Sequence, residues 1–132
     1  MDSIEHLWDQ QGWGIWAVEV PGVADLVGYT GLMIPDFDAP FMPCVEIGWR
    51  LAKQYWGNGY APEAAAEALR CAFGPIGLSE VVSMTSTTNA ASQRVMQKIG
   101  MSRDPQDDFD HPKLPDGHRL RRHVLYRIQS PS

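Results

Sequence analysis

Short apolar runs, separated by turns that contain glycine or proline, divide the chain into predicted strands and helices. Runs rich in apolar and β-branched residues predict strands, and alternation gives segment 44–51 one apolar face. A Pro21-Gly22 turn joins the first two runs and predicts a β-hairpin. The predicted strands are 13–20, 26–34, 44–51, 80–85 and 123–128.

Helix signals mark the remaining long segments. Pro62 suits the first turn of an Ala-, Glu- and Leu-rich segment, which Gly74-Pro75 ends. Asn89 suits the N-cap of a second helix, and Gly100 is its natural end. The predicted helices are 61–73, the segment from Asn89 to Gly100, and a short helix at 2–11.

The order of these elements predicts the fold class. Strand 44–51, helix 61–73 and strand 80–85 form one βαβ crossover, which makes the two strands parallel. A polar loop at 104–118 leads to the last strand. We therefore expect residues 1–132 to form a single α/β domain.

Composition and charge limit the class of protein. The 132 residues are 44% hydrophobic and 20% charged, which suits one globular core rather than a disordered chain. The net charge of −5 argues against nucleic acid as a partner, because a phosphate-binding face makes a domain basic. No apolar run could span a membrane and the acidic N-terminus is unlike a signal peptide, so we expect a cytoplasmic protein. Cys44 and Cys71 are expected to be buried free thiols.

The loop between strand 44–51 and helix 61–73 carries the candidate chemistry. A helix N-terminus presents unbonded backbone N–H groups and positive potential, which suits a pyrophosphate. Gly57 and Gly59 allow close approach because they have no Cβ. The alternative is that these glycines only make a tight turn. The expected cofactor-binding residues of this loop are Gln54, Tyr55, Trp56, Gly57, Asn58, Gly59, Tyr60 and Ala61.

Two other phosphate-binding loops do not fit this segment. A Walker A loop needs Gly-Lys-Ser/Thr, but Gly59 is followed by Tyr60. A Rossmann loop needs a third glycine or alanine where Pro62 stands, and an acidic residue where the next strand ends in Thr85-Ser86. What remains is Gln-x-x-Gly-x-Gly directly after a strand.

This pattern resembles the acetyl-CoA loop of the GNAT superfamily of N-acyltransferases. The resemblance covers about residues 13–129, and the order and spacing of its blocks are typical of the RimJ/RimL-like branch. It implies a mixed, mostly antiparallel sheet with a central parallel pair flanked by helices, and acetyl-CoA as co-substrate without a metal. The blocks are Glu46-Ile47-Gly48-Trp49, Trp56 to Ala64, Asn89-Ala90-Ala91-Ser92 and Met96 to Met101.

The resemblance also implies roles for individual residues. Pantetheine would lie between the two parallel strands and bond backbone groups near Ile47 and Trp49. Asn89 would hold the pantetheine arm through its amide, serve as an N-cap, or do both. Glu46, mid-strand, is the candidate general base acting through water, or else a solvated or ion-paired carboxylate. Ser92 would hydrogen-bond the CoA sulfur, or make only a local helix bond.

The implied reaction is direct attack of an amine on the thioester, so the two cysteines are not expected to be nucleophiles. Some family members use a tyrosine as general acid, and the corresponding positions 94–96 carry none. The acceptor would be a primary amine at a protein N-terminus or on a small molecule. The Asp and His residues of loop 104–118 match no metal pattern, so this loop either shapes the acceptor pocket or is plain surface.

The family begins with a further strand and helix, and this chain starts at what resembles the second helix. We therefore expect an N-terminally short domain with an open sheet edge, which a second copy would cover in a homodimer unless the natural start lies upstream. The alternative function is a non-catalytic CoA-binding or dimerisation domain.

Overall fold

The computed structural model describes residues 15–131 except 21, 23, 36, 38, 43 and 58. This part of the chain forms a seven-stranded sheet with two α-helices. The strands are β1 (Ile15–Val20), β2 (Ala24–Met33), β3 (Glu46–Leu51), β4 (Glu80–Ser86), β5 (Ser102–Arg103), β6 (Phe109–Asp110) and β7 (Arg122–Gln129). The helices are α1 (Tyr60–Phe73) and α2 (Ala90–Lys98), with 3-10 turns at Lys53–Tyr55 and Pro105–Asp107.

The sheet confirms the predicted mixed topology. Its strand order is β1-β2-β3-β4-β7-β5, and β6 also pairs with β7. Every pairing is antiparallel except that of β3 with β4, which α1 connects. The parallel pair is registered at one position, Glu46 opposite Val82, whereas β4 pairs with β7 along the whole length of β4. The centre of the sheet is therefore joined firmly on one side of β4 and only briefly on the other.

The main core lies between the sheet and the two helices. Helix α1 buries a stripe of small residues with Leu69, and this stripe lets the helix lie close to the strands. Met96 of α2 joins the same cluster with strand residues such as Ile47, Val81 and Val124. The buried side of α1 fixes the orientation of its N-terminus, which points to the end of β3.

Several predicted boundaries need correction. Strand β3 begins at Glu46 rather than at residue 44, so Glu46 is its first residue and not a mid-strand one. The loop predicted at 104–118 contains a 3-10 turn and the short strand β6, which pairing with β7 stabilises. Both cysteines are free as predicted but half-buried rather than buried. The helix predicted at 2–11 and residues 13 and 14 lie outside the described residues.

Candidate cofactor groove

A groove of about 550 Å³ lies where the end of β3 meets the N-termini of α1 and α2. It contains most of the cofactor-binding residues predicted from the sequence. The predicted residues that line it are Trp49, Tyr55, Trp56, Gly57, Gly59, Tyr60, Ala61, Asn89 and Ser92. Others in the lining are Arg50, Leu51, Pro62, Ala91, Arg94, Val95 and Lys98.

Two glycines shape the floor of the groove. Gly57 and Gly59 have φ angles of 81° and 80°, a conformation that favours glycine, and apart from chain neighbours no described residue has an atom within 4 Å of where their Cβ atoms would stand. Gly59 is also the N-cap of α1 and supplies no side-chain hydrogen bond to the first turn. Among the described residues, no side chain therefore caps the first N–H groups of α1.

Three cationic side chains line the groove: Arg50 of β3, and Arg94 and Lys98 of α2. No Asp or Glu occurs among the described residues of the lining, although the chain carries a net charge of −5. The groove is thus locally positive, as a polyanionic ligand requires. Sequence reasoning missed these cations. The signal that could have found them was the spacing of Ala91, Arg94 and Lys98, which places all three on one face of α2. Asn89 and Ser92 lie at the N-terminal end of this helix.

Asn89 caps α2 as predicted. Its Oδ1 accepts a hydrogen bond from the Ser92 backbone N–H at 3.0 Å. The cap uses the side-chain oxygen, so the amide hydrogens of Asn89 are the groups that can act as donors at the groove. Ser92 is half-buried and lines the groove.

The backbone of β3 leaves β4 immediately after their single registered pair. The Val45 carbonyl accepts from the Val82 N–H at 2.9 Å, and the Ile47 carbonyl accepts from the Ser83 hydroxyl at 2.9 Å. The side chain of Ile47 is fully buried, its carbonyl is already bonded by Ser83, and Ile47 is not among the residues that line the groove. Trp49, two residues further along, lines the groove.

Glu46 belongs to the single registered pair between β3 and β4, and it is not among the residues that line the groove. Its carboxyl group is half-buried, and this burial raises the pKa of Glu46 to about 7. Burial and the nearby Glu46 carboxylate raise the pKa of the Cys44 thiol to about 11. Near neutral pH, Glu46 therefore exchanges a proton readily, whereas Cys44 stays protonated and unreactive.

The predicted loop residue Gln54 is not among those that line the groove. Gln54 is exposed in the 3-10 turn before the glycines. Asn58 lies outside the described residues. Trp56 is 60% exposed, and its Nε1 donates to the Leu51 carbonyl at 3.0 Å, which ties the loop to the end of β3.

A cluster of aromatic and histidine rings lies outside the groove and was not predicted. Phe37 and Phe41, from the segment between β2 and β3, contact Phe109 of β6. The rings of His111 and His123 lie 5.0 Å apart beside them. Burial is the main cause that lowers the pKa of both histidines. No local pattern could have found this cluster, because its members come from three separate segments.

The carboxylates of the loop before β7 pair with arginines rather than with one another. These ion pairs join Asp108 to Arg103, Asp110 to Arg121 and Arg122, and Asp107 to Arg127. Among the described residues, no group of three or more His, Cys, Asp or Glu side chains is placed to hold a metal ion.

Comparison with known proteins identifies the family. Residues 1–102 match the sequence model of the family described as the acetyltransferase (GNAT) domain. The FsC-acetyl coenzyme A-N(2)-transacetylase of Aspergillus fumigatus is 33% identical over 132 residues, covering 92% of this chain and 55% of that protein. The chain spans about half the length of the curated relatives it matches. For two relatives that are at least 33% identical, it covers 55% and 47% of the length of the relative.

Solved structures show the same fold. A GNAT-family acetyltransferase from Bacillus anthracis superposes with a TM-score of 0.71 at 28% identity, covering 90% of this chain and 68% of that one. The yncA structure from Salmonella typhimurium, determined with its cofactor acetyl-CoA, gives a TM-score of 0.73 at 19% identity, covering 93% and 68%. In the described part of this chain, no helix is both long and apolar enough to cross a membrane.

Proposed function

This chain belongs to the GNAT acetyltransferase family, and on that premise we propose that it transfers an acetyl group from acetyl-CoA to a primary amine. The observation that carries the proposal is the groove. It combines a helix N-terminus whose N-cap is a glycine, two glycines at positive φ and three cations without a carboxylate in the described lining. Each of these features favours the binding of a pyrophosphate.

The groove supports a specific placement of the cofactor. The pyrophosphate binds at Gly57 and Gly59 before α1, and Arg94 and Lys98 neutralise phosphate charge from α2. Pantetheine follows β3, where the Trp49 backbone and the Asn89 amide supply hydrogen bonds. Ser92 donates to the CoA sulfur as the thiolate leaves. Gln54 and Asn58 complete the phosphate loop.

Glu46 acts as general base, through water, on the ammonium group of the acceptor. A base is most effective when its pKa lies near the working pH, and the pKa of Glu46 is about 7. At pH 7 an α-amine with a pKa of about 7.8 costs about 1 kcal/mol to deprotonate, whereas a lysine with a pKa of about 10.4 costs about 4.6 kcal/mol. The acceptor that needs least help is therefore an α-amine, at a protein N-terminus or on a small molecule.

The amine then attacks the thioester directly in a ternary complex. The Trp49 backbone N–H polarises the thioester carbonyl. The neutral Cys44 thiol takes no part. Transfer to nitrogen agrees with the name of the Aspergillus fumigatus relative, an acetyl coenzyme A-N(2)-transacetylase.

The finer classification is part of the same proposal. The four sequence blocks favour the RimJ/RimL-like branch. We place the protein in the cytoplasm as a single domain that forms a homodimer. Strand β1 ends the described sheet at one side, and an open edge of this kind favours pairing with a second copy.

Release of free CoA tests the activity. The wild-type chain is incubated with acetyl-CoA and a panel of amines: peptides with a free N-terminus, peptides with only a lysine amine, and small alkylamines. We expect release to exceed the amine-free blank, with an acid limb near pH 7 in kcat/KM that Glu46→Gln replaces by a limb at the pKa of the amine. Glu67→Gln, an exposed carboxylate on α1, is the control. Binding of acetyl-CoA without amine-dependent release would favour the non-catalytic CoA-binding alternative.

A further inference from the structure

Two buried hydroxyl groups flank strand β3 in nearly the same way. Thr30 of β2 donates through its Oγ1 to the Gly48 carbonyl at 2.9 Å, and Ser83 of β4 donates through its Oγ to the Ile47 carbonyl at 2.9 Å. Thr30 is 1% exposed and Ser83 2%, and they are the buried polar side chains of the described residues. Two consecutive carbonyls of β3 are thus satisfied by side chains from opposite neighbours.

These bonds show which way the backbone of β3 faces. Successive residues of a strand direct their N–H and C=O groups to opposite neighbours. The Val45 and Ile47 carbonyls bond to β4, and the Gly48 carbonyl bonds to β2. By this alternation the N–H and C=O of Trp49 face the β4 side. No registered pair with β4 exists there in the described chain.

Ser83 stands at the point where the two strands part. Registered backbone pairing ends with Glu46 opposite Val82, and the next β3 carbonyl that faces β4, that of Ile47, accepts a hydrogen bond from the Ser83 hydroxyl. An unpaired carbonyl at this buried site would be costly and would seek another donor. The hydroxyl removes that need and lets the strands diverge beyond it.

We propose that Ser83 is a positioning residue that sets how deeply the thioester arm of acetyl-CoA enters between β3 and β4. This inference rests on the proposed function. With the Ile47 carbonyl occupied, Trp49 is the first residue of β3 whose backbone can bond the arm. Without the hydroxyl, the Ile47 carbonyl competes for an amide N–H of the arm. A move of two residues displaces the arm by about 7 Å along the strand, which takes the thioester away from the attacking amine.

The experiment compares Ser83→Ala with Thr30→Val, because each removes one buried hydroxyl from a β3 carbonyl and only Ser83 faces the gap. Ser83→Thr is the conservative variant that keeps the hydroxyl. We expect the two hydroxyl deletions to lower Tm by similar amounts and to change the acetyl-CoA Kd less than about threefold. Only Ser83→Ala should lower kcat, by about tenfold or more, and Ser83→Thr should recover most of it.

A second measurement does not depend on turnover. The ¹³C resonance of bound [1-¹³C]acetyl-CoA is expected to agree between the wild type and Thr30→Val, and to move in Ser83→Ala. Equal resonances in all three proteins, or equal kcat in the two deletions, would overturn the role of Ser83. If the wild type binds acetyl-CoA without turnover, the proposed activity fails and the resonance alone decides about Ser83. If it does not bind acetyl-CoA, both proposals are wrong.

Discussion

Replacing Glu46 by glutamine changes the pH dependence of stability by an amount that follows from the structure. Burial raises the pKa of Glu46 from its ordinary value of 4.5 to about 7. Because one step in pKa corresponds to about 1.4 kcal/mol, ionising this buried carboxyl costs the fold about 3 kcal/mol. The folded state binds the proton more tightly than the unfolded state. The stability that Glu46 contributes in its neutral form is therefore fully present below about pH 4.5, and it is lost as the pH rises through about 7.

Urea denaturation at pH 4.5 and pH 8.5 measures this loss. Glutamine has nearly the same shape and does not titrate, so all other groups cancel when the two proteins are compared. We expect similar unfolding free energies at pH 4.5 and a wild type that is about 3 kcal/mol less stable than Glu46→Gln at pH 8.5. Glu67→Gln is the control, because the exposed Glu67 pairs with Arg70 and has a lowered pKa. Identical pH dependence in the wild type and Glu46→Gln would refute the burial argument.

Three further predictions concern the sheet, the aromatic cluster and the groove. Gly28→Ala should lower the unfolding free energy measured in urea by about 3 kcal/mol, because the new Cβ would meet the Arg50 carbonyl oxygen at 2.1 Å. Gly48→Ala is the control and should be tolerated, because the nearest atom to its Cβ position is 3.8 Å away. Equal losses of stability in the two variants would contradict this prediction. The lowered pKa values of His111 and His123 mean that the folded state resists their protonation, so these two residues should lower stability as the pH drops below about 6.5, in opposition to the effect of Glu46. The double variant with phenylalanine at both positions should lose that acid sensitivity, and an unchanged profile would refute the assignment. The Kd for CoA, measured by calorimetry, should rise about tenfold in the double variant Arg94→Ala/Lys98→Ala, and by less in high salt. Arg70→Ala is the control, and an equal rise in its Kd would contradict the prediction.

The helices and long strands could be predicted because their signals are local. The limits of α1 differ from the predicted ones by a single residue, since Pro62 and Gly74 mark its ends in the sequence. The parallel pairing of β3 with β4 followed from the handedness and length of the crossover. The glycine loop was predictable for the same reason: Gly57 and Gly59 lie between a recognisable strand and a recognisable helix.

What escaped prediction depends on contacts between distant segments. Strands β5 and β6 have two residues each, too few for a periodic pattern, and pairing with β7 creates them. The position of Arg94 in the groove depends on how α2 packs against the sheet. The raised pKa of Glu46 comes from burial at the strand junction, which the alternation of apolar and polar residues in β3 does not show.

The central claim is that the glycine loop and the N-terminus of α1 bind acetyl-CoA, and thermal melting with ligand tests it most directly. Wild type, Gly59→Leu and Gly117→Leu are melted alone and with acetyl-CoA, CoA or NADH. Gly117 is the matched control, because it also has a positive φ of 82° and open space at its Cβ position but does not line the groove. Ligand at about 100 times its Kd should add about 2.7 kcal/mol, a Tm increase on the order of 10 °C. We predict this increase with acetyl-CoA and CoA, not with NADH, in the wild type and Gly117→Leu, and its loss in Gly59→Leu. No increase in the wild type, or an equal increase in Gly59→Leu, would contradict the assignment of the site.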